Sequence, residues 1–472
     1  MNAICRSTTS DDRPSFLLSA CALVMLVGAA TPGTTIAGGA HAPPPAGYPR
    51  YRLIELGTLG GANGMPVFPG VTLNDRGEVI AQASTNTLDP DPGLQDDFIW
   101  HGILSGASGA VHDLGALRGI NQSFPSGISA NGLIAGFSTN GQIDALTGFP
   151  ELRAVSWDAK QSIIDLGTLG GNTSIASQVN SRGVVVGFAT NATAENADIA
   201  QFFFGTPAAQ QVRGFVWKDG SMRDLGTLGG NDAGAILVNE SGEVCGISAT
   251  GTQNNETTGL PTIHPFLWKD GKMQDLGSLG GTIAITGSFA NGPFGRVMNE
   301  RGDVVGTSTL TNDEDDAHAF YWSHGRMTDL GTLGGLASEA YAINDNGQVV
   351  GRAEVSNAPY VRHAFVWEKG TMTDLGTVGA CTRGTATSIN DKAQIVGGLR
   401  FCTDDPADLG FNTAFYVEKG KPMVDLNDLV DPPSDLHMDE AMFINERGEI
   451  VAGVVTSDGG TRVVLLVPLP GH

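Results

Sequence analysis

The stretch 329–374, "DLGTLGGLASEAYAINDNGQVVGRAEVSNAPYVRHAFVWEKGTMTD", decides the fold. It holds four short apolar runs with turn chemistry between them. The first, 340–344 (AYAIN), leads into Asn344-Asp345-Asn346-Gly347, where the first Asn opens a turn and Gly347 supplies a left-handed position at its far side. The second run is 348–352 (QVVGR), and the third, 363–367 (HAFVW), follows a loop. Glu368-Lys369-Gly370 then turns the chain into a fourth run, 371–375 (TMTDL). Alternation over about five residues between Gly-centred turns predicts antiparallel strands rather than helices.

The same unit recurs along the chain, and a fixed period is read before secondary structure. "DLGTLGG" stands verbatim at Asp165, Asp224 and Asp329, with near-copies at Glu55, Asp113, Asp275 and Asp374 and a decayed eighth at Asp425. Successive copies begin 45 to 59 residues apart. The turn glycine returns at Gly77, Gly132, Gly183, Gly242, Gly302 and Gly448, with Ala393 the exception, and Ser129 once replaces the Asn. The six tryptophans, Trp100, Trp157, Trp217, Trp268, Trp322 and Trp367, read as one position of the third strand. Such a stripe could be a ligand platform, but its regularity favours a core between sheets.

Four strands repeated eight times predict an all-β fold, a β-propeller of eight four-stranded blades. An open β-solenoid or a different blade count is the alternative. The ends favour closure: 51–56 (YRLIEL) is a fourth strand lacking its partners, and 462–467 (RVVLLV) is a third strand lacking its fourth. Joined, they complete one blade and remove two exposed edges. A phosphate-binding reading of DLGTLGG fails, because such a loop opens a helix, carries a Lys and comes once. The motif reads as a joint, with Asp165, Asp224 and Asp329 accepting local backbone hydrogen bonds.

The triplets His318-Ala319-Phe320 and His363-Ala364-Phe365, with His264-Pro265-Phe266 as a variant, resemble the HAF-repeat family of predicted extracellular bacterial proteins. The resemblance covers roughly residues 51–467 and implies export and a repeat architecture, without an activity.

Composition agrees with export. Arg6 and Arg13 precede the apolar run 16–30, which is too short to span a bilayer comfortably, and Ala40-His41-Ala42 fits a cleavage pattern. The expected organisation is a signal peptide over 1–42 with its cleavage site open, a Pro-rich linker over 43–50, the propeller over 51–467 and a tail over 468–472. No integral membrane span is expected in the mature chain. The net charge of −23 argues against nucleic acid as a partner, since binding it requires cationic groups that displace counterions. Of the three cysteines beyond the expected signal, Cys381 lies in a crossing between blades and Cys402 opens a loop of the same blade, so a disulfide is expected between them. Cys245 reads as a buried free thiol.

Functional candidates fall on the loops between second and third strands, which vary most in length. They are acidic: Asp89, Asp91, Asp96 and Asp97 in one, Asp313, Glu314, Asp315 and Asp316 in another, and Asp404 and Asp405 in a third. Clustered carboxylates suit Ca²⁺, with Asp313, Asp315 and Asp316 the best local set, although acidic loops also serve solubility alone. No other cofactor is expected. His264, His318 and His363 share one repeat position where other units carry Arg153, Arg213 or Thr413, which favours a structural role over a metal ring. The leading expectation is an exported, non-catalytic module that binds an extracellular glycan, envelope component or protein. A secreted polysaccharide hydrolase or lyase on the same scaffold is the alternative, and a Ca²⁺-stabilised cell-envelope structural protein comes third.

Overall fold

The computed structural model describes residues 47–67, 70–89, 98–118, 121–158, 160–197, 208–256, 258–288, 295–311, 316–356, 361–400, 402, 411–456 and 459–470. Among them are eight four-stranded antiparallel sheets and no α-helix. Blades 1 to 7 cover residues 60–113, 123–167, 170–224, 233–275, 284–329, 334–374 and 383–425, each hydrogen-bonded in chain order through strands a, b, c and d. The a strands of neighbouring blades abut around the axis. Blade 8 joins residues 438–468 to the N-terminal strand Tyr51–Leu56, which pairs antiparallel with Thr461–Pro468 in the order d-c-b-a. The ring is therefore an eight-bladed β-propeller, closed as the two incomplete ends foretold.

In blade 6, strands Gly334–Ile343, Val349–Val355, Arg362–Glu368 and Thr371–Asp374 follow one another. Val349, Val350 and Phe365 are fully buried and Trp367 nearly so, so the core lies between the flat faces of adjoining blades. Gly351 faces a bulge in strand a, where an added Cβ would come within 1.9 Å of the Glu339 carbonyl oxygen. This close approach explains the glycine in the repeated "VVG".

Asn344 does more than open its turn. Its Oδ1 accepts the N–H groups of Asn346 and Gln348 at 3.1 and 2.9 Å, and its Nδ2 reaches the carbonyl of Asn390, the equivalent residue of the next blade, at 2.9 Å. The same inter-blade bond runs from Asn180 to Asn239, Asn299, Asn344, Asn390, Asn445, Asn74 and on to Ser129. Ser129 cannot extend so far, and Asn131 makes the step to blade 3 instead by donating to the carbonyl of Ser181. A hydrogen-bonded circle thus ties all the blades at the a–b turn end. Gly347 has φ of 77°, and Ala393, its lone non-glycine counterpart, is held at 57° in the same left-handed region.

The tryptophan stripe needs one correction. Trp157, Trp268, Trp322 and Trp367 are buried at the expected position, with Trp217 half-buried beside them. Trp100 is not part of the set: strand c of blade 1 pairs Val79 with Ser105, and Ser105 takes the tryptophan's place. The cause is register, because His101, immediately after Trp100, bonds Asp113 and so occupies the position that His318 occupies in blade 5.

Candidate functional site

The repeated aspartate is a latch. Asp329 Oδ1 accepts the N–H of Gly331 at 2.7 Å and the imidazole Nδ1 of His318 at 2.8 Å. A carboxylate can only accept, so Nδ1 carries the proton. His101, His264 and His363 bond Asp113, Asp275 and Asp374 in the same way, while Arg153 and Arg213 pair with Asp165 and Asp224. Blade 8 substitutes Arg462 and Glu55, and blade 7 bridges Thr413 to Asp425 through Asn427. Histidine and arginine alternate here because either can offer an N–H to the motif carboxylate. Asp165, Asp224 and Asp329 thus each hold a cationic or imidazole partner within their own blade. Gly331 follows with φ of 72°, turning the outer strand toward the next blade.

Of the acidic loop candidates, Asp91, Asp96, Asp97, Asp313, Glu314, Asp315, Asp404 and Asp405 lie outside the described residues. Asp89 is half-buried and accepts a hydrogen bond from Gln122 of blade 2 at 2.5 Å. The Asp316 carbonyl accepts the Leu310 N–H at 2.8 Å. Among the described residues no group of three or more His, Cys, Asp or Glu side chains is arranged to hold a metal ion. Asp439 and Glu440 sit on strand a of blade 8, Met438–Ile444. Cys381 and Cys402 form the expected disulfide, and Cys245 is a buried free thiol that burial raises to about 12.

Sequence reasoning passed over a charged sector at the b–c loop end of blades 6, 7 and 8. On blade 6, Glu339 is 4% exposed and lies opposite Arg352 in the a–b register. Its Oε1 receives Arg352 at 2.8 Å and Arg362 at 2.5 Å. Its other oxygen accepts the hydroxyl of Ser288, two residues beyond strand a of blade 5. Burial opposes the charge of Glu339, yet the two guanidinium groups outweigh it and hold the carboxyl well below its usual range. Arg352 also lies over the Tyr341 ring, 5.8 Å from its centroid.

Strand b of each blade packs on strand a of the next, so the sector continues sideways. Arg383 on strand a of blade 7 comes beside Arg352 and Arg362, and burial followed by these two like charges lowers its pKa. Arg400 on strand b of blade 7 faces Glu440 of blade 8. Burial pushes the Glu440 carboxyl up to about 7, with Arg400 opposing and Asp439 reinforcing the rise.

Elsewhere the fold solves this level without charge. The equivalents of Arg352 in blades 2, 3 and 4 are Phe137, Phe188 and Ile247, which join one buried apolar cluster with Phe124 and Ile175, the equivalents of Glu339. Buried ion pairs are weak contributors to stability compared with apolar side chains of similar volume. The scaffold therefore has no structural need of this charge. The signal available in the sequence was the arrival of four arginines between 352 and 400 in a chain with only 27 Lys and Arg.

The fold defines the class: an eight-bladed β-propeller with a charged sector at its loop-bearing end. Residues 294–462 are similar to the family described as "Protein of unknown function (DUF3466)". No curated protein matches the chain. Solved structures with some likeness include the acylaminoacyl peptidase of Pyrococcus horikoshii, at 9% identity over 78% of this chain and 52% of that one, with a TM-score of 0.42. Dipeptidyl peptidase 4 of Porphyromonas gingivalis has 9% identity, coverage of 81% and 56%, and a TM-score of 0.44. The sucrose-6-phosphate hydrolase of Lactobacillus gasseri has 12% identity, coverage of 96% of both chains, and a TM-score of 0.30. The chain spans about half the length of the two peptidases, at 52% and 56%. These likenesses are too distant to carry an argument about activity.

Proposed function

We propose that this chain is an exported binding module, non-catalytic, whose ligand face is the propeller end bearing the b–c loops. The observation that carries the reading is the charged sector of blades 6 to 8, set where blades 2 to 4 bury Phe137, Phe188 and Ile247. A costly departure from an available apolar solution, beneath the most variable loops, is what a binding site leaves in a repeated scaffold. Export draws support from the Cys381–Cys402 disulfide, a bond that persists in oxidising compartments. Among the described residues, no helix is long and apolar enough to cross a membrane.

One observation favours a second reading, hydrolysis of a polymer. Glu440, half-buried with its carboxyl raised to about 7, has the protonation behaviour a general acid requires. A panel of glycans and cell-envelope extracts presented to the full chain separates the readings. Binding predicts saturable capture of at least one class, with the captured polymer unchanged in length after long incubation. Capture of none would overturn the binding module. Chain shortening lost in Glu440→Gln would establish the hydrolase instead.

A further inference from the structure

We propose that the propeller end formed by the a–b and c–d turns docks on an anionic lipid surface, so that the b–c loop end faces outward. This end lies opposite the ligand face, and its role does not depend on what that face binds.

All eight lysines of the chain stand at this end. Lys160 of blade 2, Lys218 of blade 3, Lys269 and Lys272 of blade 4, Lys369 of blade 6, and Lys419 and Lys421 of blade 7 flank or form c–d turns. Lys392 stands in the a–b turn of blade 7. Every one of them is exposed. Because the strands alternate in direction, the a–b and c–d turns share one end, and the longer b–c loops at the other hold no lysine. Exposed large apolar side chains divide the other way. Among the described residues, Leu88, Phe98, Ile143, Leu146 and Leu336 lie toward the b–c end, and Ile164 lies along an outer strand. The lysine-bearing end therefore meets a partner through charge and not through apolar burial.

Carboxylates at this end serve the fold in large part. Asp75, Glu240, Glu300, Asp345, Asp391 and Glu446 each follow an asparagine of the inter-blade circle, and each accepts the backbone N–H of the equivalent residue in the preceding blade. Blades 2 and 3 carry Ala130 and Ser181 at that position. Asp158 accepts the N–H groups of Lys160 and Ser162 within its own turn. These two blades thus set Lys160, Arg182, Lys218 and Arg223 against Asp158 and Asp219, and the cationic sector continues to Lys272 of blade 4. Lys160, Lys218 and Lys272 are in no ion pair among the described residues.

The arrangement suits a plane of headgroups. A lysine is a point charge on a flexible stem, and here the cations sit on the turns of separate blades, which fits many anions spread over a surface better than one anion held bidentately. The net charge of −23 does not prevent the contact. The acidic b–c loops lie a strand length away, about 20 Å for six residues at about 3.3 Å each. That exceeds the Debye length of about 8 Å in physiological salt, so their repulsion is largely screened. The chain also enters the propeller at this end. The Tyr48 hydroxyl donates to the Pro422 carbonyl at 2.8 Å, and Lys421 donates to the carbonyl of Gly47. The leader expected over 1–42 is thereby joined to the lysine-bearing end.

Flotation of the full chain with vesicles tests the proposal, using equimolar phosphatidylglycerol and phosphatidylcholine beside phosphatidylcholine alone. The chain should partition more strongly onto the anionic vesicles, and the difference should shrink as salt rises. Combining Lys160→Gln, Lys218→Gln and Lys272→Gln should cost about fivefold in partitioning for each lysine removed. Lys160→Arg, Lys218→Arg and Lys272→Arg together should retain it. Arg118→Gln, which removes an exposed charge at the b–c end, should leave it unchanged. These are surface positions, so the melting temperature should hold in every variant. On anionic vesicles the three lysines should resist acetylation by a water-soluble reagent, read by peptide mass. Equal partitioning onto both vesicle types would assign any binding to the leader and overturn the proposal. So would undiminished binding by the triple Gln variant, or full acetylation of the three lysines on vesicles. Binding to soluble polygalacturonate without binding to the anionic vesicles would replace the lipid surface with an acidic polymer. Glycan capture by the b–c face should be the same in the triple Gln variant as in the wild type, and its loss there would show that the two ends do not act separately.

Discussion

At the scale of single residues, the repeat's aspartate and its partner define a charge-assisted latch whose strength depends on pH. The hydrogen bond to Asp329 raises the pKa of His318 above its ordinary 6.5, against burial that would lower it. Burial alone would raise Asp329, but His318 and the Gly331 N–H together bring it below its ordinary 3.8. The signs follow from linkage. The contribution of His318 to stability is complete below 6.5 and fades as the pH climbs through its raised folded value. That of Asp329 is complete above 3.8 and fades as the pH drops through its lowered folded value. With Asp329 42% exposed, the latch is worth no more than a partly solvated pair, roughly 0.2–1 kcal/mol. In a proton NMR titration, the His318 ring should show a midpoint above 6.5 that falls back in Asp329→Asn. A wild-type midpoint at or below 6.5 would take the charge out of the latch.

At the scale of elements, the a–b turn is both a hairpin turn and a joint between blades, and Asn344 performs both tasks. It is 2% exposed and makes two cap bonds within its own turn, one to the Gln348 side chain and one to the next blade. Asn344→Ala leaves buried donors and acceptors without partners, and each such group costs about 1–3 kcal/mol. The expected loss in denaturant unfolding is about 2–4 kcal/mol, with the midpoint shifted and the fold retained. A loss below about 0.5 kcal/mol, the range of an ordinary surface substitution, would show that the circle does not hold the blades. The glycine of each turn was legible in the sequence because its conformation is local. The inter-blade half of the asparagine's work was not, because its acceptor lies one whole repeat away, 46 residues from Asn344 to Asn390.

At the scale of the molecule, closure depends on the N-terminal strand. Tyr51 and Leu56 are buried, and the strand covers the edge of Thr461–Pro468, whose Val463, Val464, Leu465 and Leu466 are all buried. Removing residues 1–56 would bare a paired edge rich in β-branched and aliphatic side chains, a template for association. A chain lacking 1–46 should elute and melt as the full chain does, whereas one lacking 1–56 should melt lower and shift to larger species in size-exclusion chromatography. Identical behaviour of the two truncations would mean that the ring closes without this strand.

Much of the architecture was written in the order of residues. The period, the turn glycines, the incomplete ends and the pairing of Cys381 with Cys402 each follow from local chemistry repeated at a fixed spacing, and local chemistry can be read in one dimension. Trp100 was misplaced because a matching residue type stood in for register, which the His101–Asp113 bond sets. Only the tertiary structure revealed the charged sector, since Glu339, Arg352, Arg383, Arg400 and Glu440 come from three blades and meet because each b strand packs on the next a strand. The sequence determined how many times the unit repeats and how it closes. What the repeats hold between them was decided by the packing, because contact across a blade interface leaves no period in the chain.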